Sequence, residues 1–227
     1  MISYLIFCHP MQTATSPRSQ MAYQQVRAWS VLPPETLAVF EQLPREIFVP
    51  PASHGAAYGD LAIPLEDGQH MLPPTVVGRI LQAVTVRRTD QVLEIGTGSG
   101  YVTACLALLG SQVRSLEIRP QLAHQARQNL KAAGIGNAIV EEADAFQWQP
   151  AAPGYDVVVI TGSMPVHDAR FEAWLNPGGR LFVVCGQPPV MEAQLIRLTE
   201  TGRDVHSLFE TVIDPLTHAA SPSRFVF

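Results

Sequence analysis

The chain has 227 residues, 47% hydrophobic and 15% charged, with a formal net charge of −5, which suits one compact α/β domain with a sizeable core. The acidic balance and the lack of any lysine or arginine run argue against a phosphate-tracking face, so nucleic acid is not an expected partner. Cys8, Cys105 and Cys185 are widely spaced, which reads as free thiols in a reducing cytoplasm rather than a disulfide or zinc framework, and no apolar stretch reaches the roughly 18 to 20 residues of a membrane span.

In chain order, residues 1–20 join a short apolar run, Ile2 to Phe7, to a polar stretch with Pro17. They read as a disordered tail or an over-long start, with Met11 or Met21 as the true beginning; a cleaved signal peptide is the alternative, and its apolar core would be short. From Met21 the pattern becomes regular: a helix over 24–29, then one opened by Pro33-Pro34 with Leu37, Phe40 and Leu43 at helical spacing and closed over 44–51. Polar and turn residues over 58–74 suit a lid or substrate wall, and a helix follows over 75–84. Residues 21–84 therefore form a helical cap with a substrate loop, ahead of a cofactor domain over 85–227.

That domain alternates strands at 91–95, 112–118, 138–142, 155–161 and 180–185 with helices at about 100–109, 119–133 and 166–175, which predicts a mostly parallel twisted sheet with helices on both faces. Asn176-Pro177-Gly178-Gly179 reads as the turn before the fifth strand, and 194–199 with 205–211, around Thr201-Gly202, as a C-terminal antiparallel hairpin. The first strand runs into Glu94-Ile95-Gly96-Thr97-Gly98-Ser99-Gly100, with glycine at alternate positions. Glycine there permits positive φ and leaves room for a ligand against the backbone. A dinucleotide fingerprint would place its third glycine where Tyr101 stands, so an NAD-dependent oxidoreductase is disfavoured. Glu117 ends the second strand at the interval that sets a carboxylate against ribose hydroxyls. Together these features resemble the S-adenosylmethionine site of class I methyltransferases.

The order and intervals of Gln24-Gln25-x-Arg27, Leu43-Pro44-Arg45-Glu46-Ile47-Phe48-Val49-Pro50, Tyr58-x-Asp60-x-Ala62-Ile63-Pro64, Gly68-Gln69, Val92 to Tyr101, Tyr155-Asp156 and Pro177-Gly178-Gly179-Arg180-Leu181 resemble the protein-L-isoaspartate O-methyltransferase family over about 21–215. The resemblance implies a Rossmann-like fold and methylation, by S-adenosylmethionine, of the α-carboxyl of isoaspartyl residues in damaged proteins. It implies that Glu94 and the backbone of Gly96, Gly98 and Gly100, with Thr97 and Ser99, hold the methionine end of the cofactor. Glu117 would bind the ribose, and Asp144 beside Ala145 the adenine amino group; Asp144 could instead cap a following helix. Thr161, with Gly162 and Ser163 at the end of the fourth strand, lines the site or forms a turn.

The family's G-Q-T-I-S-Q-P stands here as Gly68-Gln69-His70-Met71-Leu72-Pro73-Pro74. Leucine occupies the active-site serine position and removes a hydrogen bond to the substrate carboxylate, while His70 stands at the threonine position. A carboxylate acceptor needs no general base; an amine or hydroxyl acceptor does, and His70 is the candidate, with a solvated loop residue as the alternative. The expected partner is a protein or peptide carrying isoaspartate. The alternatives are another acceptor, small molecules included, on the same scaffold, or a protein that binds the cofactor without catalysis. No metal is expected.

Overall fold

The computed structural model describes residues 16–29, 32–150 and 154–221. A short antiparallel hairpin, β1 (Ile63–Pro64) with β2 (His70–Met71), precedes the main sheet. The main strands are β3 (Gln91–Ile95), β4 (Gln112–Glu117), β5 (Ala138–Glu142), β6 (Tyr155–Met164), β7 (Leu175–Gln187), β8 (Val190–Thr199) and β9 (Gly202–Thr211). They lie side by side in the order β5-β4-β3-β6-β7-β8-β9, with β3 to β7 parallel and the last two antiparallel. The chain runs outward from β3 to β5 and returns to the other side of β3 with β6. That reversal opens a crevice at the carboxyl ends of the strands, where ligands of open α/β sheets bind.

Alternation along the strands feeds two cores. Val92, Val113, Val157, Val159, Phe182 and Val184 enter one, whereas Leu93, Ile95, Leu116, Val158, Ile160, Leu181 and Val183 enter the other. The first core lies under α1 (Pro34–Gln42), α2 (Pro74–Val84), α3 (Tyr101–Leu109) and α4 (Pro120–Ala132), and it takes in Met21, Val26, Phe40 and Phe48 of the cap. Cap and cofactor region thus share one continuous core. The second core is closed by aromatic edges, including Phe171 against Trp174 at 5.0 Å and Trp148 against Trp174 at 5.4 Å. This corrects the helix expected over 166–175: the segment is a six-residue 3-10 helix, Ala169–Trp174, because the chain passes directly from it into β7 at Leu175. Residues 176–179, read as a turn, bulge out of β7, since Tyr155 pairs with Leu175 but Val157 already pairs with Arg180.

Several of the motif residues are braces. Asp156 accepts from Gln91 N–H (2.8 Å) and Asn176 Nδ2 (2.9 Å), tying β6 to β3 and to the bulge. Arg180 pairs with the buried Asp90 at 2.6 Å and donates to Thr85 C=O, pinning the end of α2 to the sheet. Asp60 accepts from the Thr75 N–H (3.1 Å), occupying an orphan donor in the first turn of α2.

The expected disordered tail is corrected at its carboxyl end; residues 1–15, with Cys8, lie outside the described residues. Ser16 caps a helical run over 17–29 by accepting from Ser19 N–H, and Arg18 reaches Tyr58, the Glu41 carbonyl and Glu46. Met21 and Ala22, which follow at once, are fully buried, so burial of that turn anchors the residues before it. A chain begun at Met21 loses the cap and Arg18. A cap is worth about 0.5–2 kcal/mol, so its melting temperature should fall by roughly 1–8 °C against the full chain in a calorimetric scan.

Candidate active site

The carboxyl ends of β3, β4 and β6 meet around a cavity. Its floor is the loop Gly96-Thr97-Gly98-Ser99, and Glu117, Asp144, Ala145, Thr161 and His70 stand in its walls. The structure thus brings together nine of the sequence-nominated residues. At Gly96, φ is +95° and a Cβ would lie 2.6 Å from Thr161 Oγ1, whose hydroxyl donates to the Gly96 carbonyl at 2.5 Å. Only glycine lets the loop pass that close to β6.

Glu94 and Gly100 do not line the cavity. Glu94 is fully buried beneath the loop, where its Oε2 accepts from the hydroxyls of Ser115 (2.6 Å) and Thr103, while Oε1 has no partner among the described residues. Ser115 in turn meets Thr97 Oγ1 at 2.6 Å. Burial pushes the Glu94 carboxyl up to about 8 against the pull of these hydroxyls, so it is mostly protonated at neutral pH. Glu94, expected to hold the methionine end of the cofactor, here braces the loop from behind. Gly100 opens α3 with φ +85°, and its absent Cβ admits Ala126 of α4 at contact distance.

Glu117 is 4% exposed and accepts from Gly98 N–H at 2.8 Å through one oxygen and from Arg119 N–H at 3.0 Å through the other. Each oxygen keeps a lone pair for a ligand hydroxyl. Asp144 accepts from Phe146 N–H (2.9 Å), Gln147 and His218. Burial acts to raise its carboxyl, but these bonds outweigh it and leave it below the usual range. It organises a turn there, since no helix follows.

Thr161-Gly162-Ser163, read as a strand end or turn, lies inside β6, which continues to Met164. Ser163 donates its hydroxyl to Ile213 C=O and its N–H to Asp214 C=O, so the segment after β9 runs along β6. That pairing sets Asp214 opposite His70, with Nδ1 to Oδ2 at 3.0 Å. A carboxylate accepts from Nδ1–H, which leaves Nε2 as the basic nitrogen of a neutral His70. Leu65 lies in the 58–74 stretch read as a substrate wall, whereas Asp214, Leu216, Phe146 and Arg45 were not nominated as wall residues. Arg45 and Phe146 had a local signal, in Leu43-Pro44-Arg45-Glu46 and directly after Asp144-Ala145; Asp214 and Leu216 arrive by tertiary pairing.

Cys105 is buried and Cys185 half-buried, both unpaired, and burial pushes their thiols up to about 12 and about 11. Among the described residues, no cluster of three or more His, Cys, Asp or Glu is placed to hold a metal, and no helix is long and apolar enough to cross a membrane.

The sequence matches the family described as Protein-L-isoaspartate(D-aspartate) O-methyltransferase (PCMT) over residues 18–217. The chain belongs to this protein-L-isoaspartate O-methyltransferase family. A relative named protein-L-isoaspartate O-methyltransferase 1, from Rhodopseudomonas palustris (strain HaA2), is 37% identical over 82% of this chain and 76% of its own length. Another family enzyme, from Opitutus terrae, is 35% identical over 93% of this chain and 86% of its own. Among solved structures, a protein-L-isoaspartate O-methyltransferase superposes with a TM-score of 0.77 at 22% identity, over 90% of this chain and 67% of that one. A putative family member from Plasmodium falciparum, in complex with S-adenosyl-L-homocysteine, also gives 0.77, at 16% identity over 88% of this chain and 97% of that one. The family fold accounts for the strand-end cradle, and this chain is a methyltransferase of the S-adenosylmethionine-dependent class.

Two outcomes follow from the cradle. Glu117→Ala should weaken S-adenosylhomocysteine binding by about 1.5–3 kcal/mol in calorimetry, the worth of hydrogen bonds to a charged group. Because the Glu94 value of about 8 exceeds its ordinary 4.5, its contribution to stability is full below the ordinary value and is lost as pH rises through the folded one. The stability gap between the unmodified protein and Glu94→Gln should therefore narrow between about pH 5 and pH 8 in urea titrations.

Proposed function

We propose that this protein transfers a methyl group from S-adenosylmethionine to the α-carboxylate of isoaspartyl residues in peptides and damaged proteins. One observation carries the reading: the cofactor cradle shares a wall with a second cavity, and His70, Met71, Leu72, Asp214 and Pro215 belong to both. An acceptor entering from the second cavity meets the cradle at that wall, as in-line displacement requires.

The residues present fit the cofactor. Gly96 and Gly98 line the cavity with backbone, Glu117 offers acceptors for ribose hydroxyls, and Asp144 with Phe146 borders the adenine end. S-adenosylmethionine, when bound, supplies an electrophilic methyl on a sulfonium. The chain's own task is to orient a carboxylate oxygen toward that methyl and to exclude water; no protein base is required. Leu65, Met71 and Leu72 supply apolar wall at this end.

The His70–Asp214 pair favours a second reading, an acceptor that must lose a proton, with Nε2 as the base. His70→Ala separates the two. With an isoaspartyl peptide its rate should stay within a few-fold of the unmodified protein's, whereas general-base catalysis is worth about 10²–10⁴-fold. A normal aspartyl peptide is the control acceptor.

Leu72 replaces the hydroxyl expected by the family pattern, yet its backbone is held in place. Its carbonyl accepts from Arg45 at 2.9 Å, and Pro73 caps α2. A serine at this position therefore starts from a fixed backbone. Leu72→Ser should raise kcat/KM for an isoaspartyl peptide by about 10- to 100-fold, and Leu72→Ser with Pro73→Gln, which frees the constraint a proline places on the residue before it, should do better still. An unmodified enzyme that Leu72→Ser fails to improve would show that the scaffold does without the hydroxyl.

A further inference from the structure

Arg45 is completely buried between the cap and the glycine loop. Its Nη2 donates to Leu72 C=O at 2.9 Å, but among the described residues Nε and Nη1 have no hydrogen-bond partner. The guanidinium lies 4.5 Å over the Tyr101 ring, which is itself set edge-on to Phe48 at 5.5 Å. Among the described residues, no carboxylate bonds it. Burial lowers the Arg45 pKa, yet arginine does not give up its proton in proteins, so the charge stays. An unpaired buried charge costs a large fraction of a domain's net stability, and a cation–π contact recovers only part of that.

The same side chain lines the cofactor cavity, beside Ser99, Tyr101 and Leu72. Its unmet donors are closed off from solvent but belong to a side chain that borders this cavity. A carboxylate satisfies guanidinium donors best, through short charge-assisted bonds. We propose that Arg45 is the carboxylate receptor of this cavity. The assignment rests on the function proposed above, in which two carboxylates come to the site: that of the cofactor's methionine end and that of the isoaspartyl acceptor. Leu72 lends the idea weight on the acceptor side, because its side chain has no donor to offer and Arg45 bonds the carbonyl of that same residue.

The ligand-free protein carries the charge unpaired, so Arg45→Met, close in length and apolar, should hold or raise the melting temperature of the ligand-free protein. Arg45→Gln, which can keep a bond to Leu72 C=O, serves as the second variant. Calorimetry with S-adenosylhomocysteine and with 5′-methylthioadenosine, which lacks the amino-acid end, locates the carboxylate. Both variants losing about 10- to 100-fold in affinity for the first compound and none for the second assigns Arg45 to the cofactor's carboxylate. Unchanged affinity for both compounds, with KM for an isoaspartyl peptide raised about 10- to 100-fold, assigns it to the acceptor's. Variants that bind both compounds as the unmodified protein does, with KM unmoved, overturn the proposal, as does an equal loss for both compounds with a lowered melting temperature, the mark of a packing role. An unmodified protein that binds neither compound overturns the cofactor site itself, and Arg45's role with it.

Discussion

A buried, mostly protonated carboxyl at the end of one strand is the constraint on which the active end of the molecule depends. Glu94 is fully buried, and it gathers Ser115 from the neighbouring strand and Thr103 from the following helix, with Thr97 of the loop joined through Ser115. A buried polar cluster is expensive unless its members satisfy one another, and when they do it specifies one geometry. Here the bonds through Oε2 join strand, loop and helix beside the contacts of Gly98 N–H with Glu117 and of Gly96 with Thr161, while Oε1 has no partner among the described residues. The loop is then a rigid floor rather than a flexible glycine-rich turn.

Around that floor the walls come from distant parts of the chain. The substrate loop contributes Leu65 and residues 69–72, held by the β1–β2 hairpin, and the segment after β9 contributes Asp214 to Thr217, held along β6 by Ser163. His218 then bonds Asp144, so the closing segment is tied at both ends of the cavity. These walls make chemistry possible because they keep a reacting pair close and dry. They also place the two features that set this chain apart at its acceptor side, a leucine and a histidine–aspartate pair, on the boundary between the two cavities.

The polar economy of the site is uneven. Asp144 and Glu117 are well supplied with donors, whereas Arg45 is held only through one nitrogen and an aromatic face. Proteins tolerate such imbalance at sites that ligands complete, at a cost in ligand-free stability. The aromatic packing on the opposite face of the sheet, with Phe171 and Trp174 fully or nearly buried, is a store of stability that can offset it.

The parallel sheet, its strand positions near 91, 112, 138 and 155, the glycine loop and the carboxylate at 117 were all legible in the sequence, because hydrophobic period, glycine spacing and strand-end position are local properties of the chain. The motif residues Asp60, Asp156 and Arg180 were also visible, though not that they serve as braces. Three things depended on tertiary structure. The expected helix over 166–175 shortened to a 3-10 turn, since the chain enters β7 at once. The turn before Met21 is anchored by burial of Met21 and Ala22, which no periodicity in the preceding residues announces. Glu94 packs in the interior beneath the loop, and Asp214 and Arg45 enter the cavity wall from 144 residues and 27 residues away from the loop residues they touch. Local pattern decides which elements form; which side chain faces a cavity is decided by packing among elements far apart in the chain, where the cost of burying each polar group is settled by partners that sequence distance conceals.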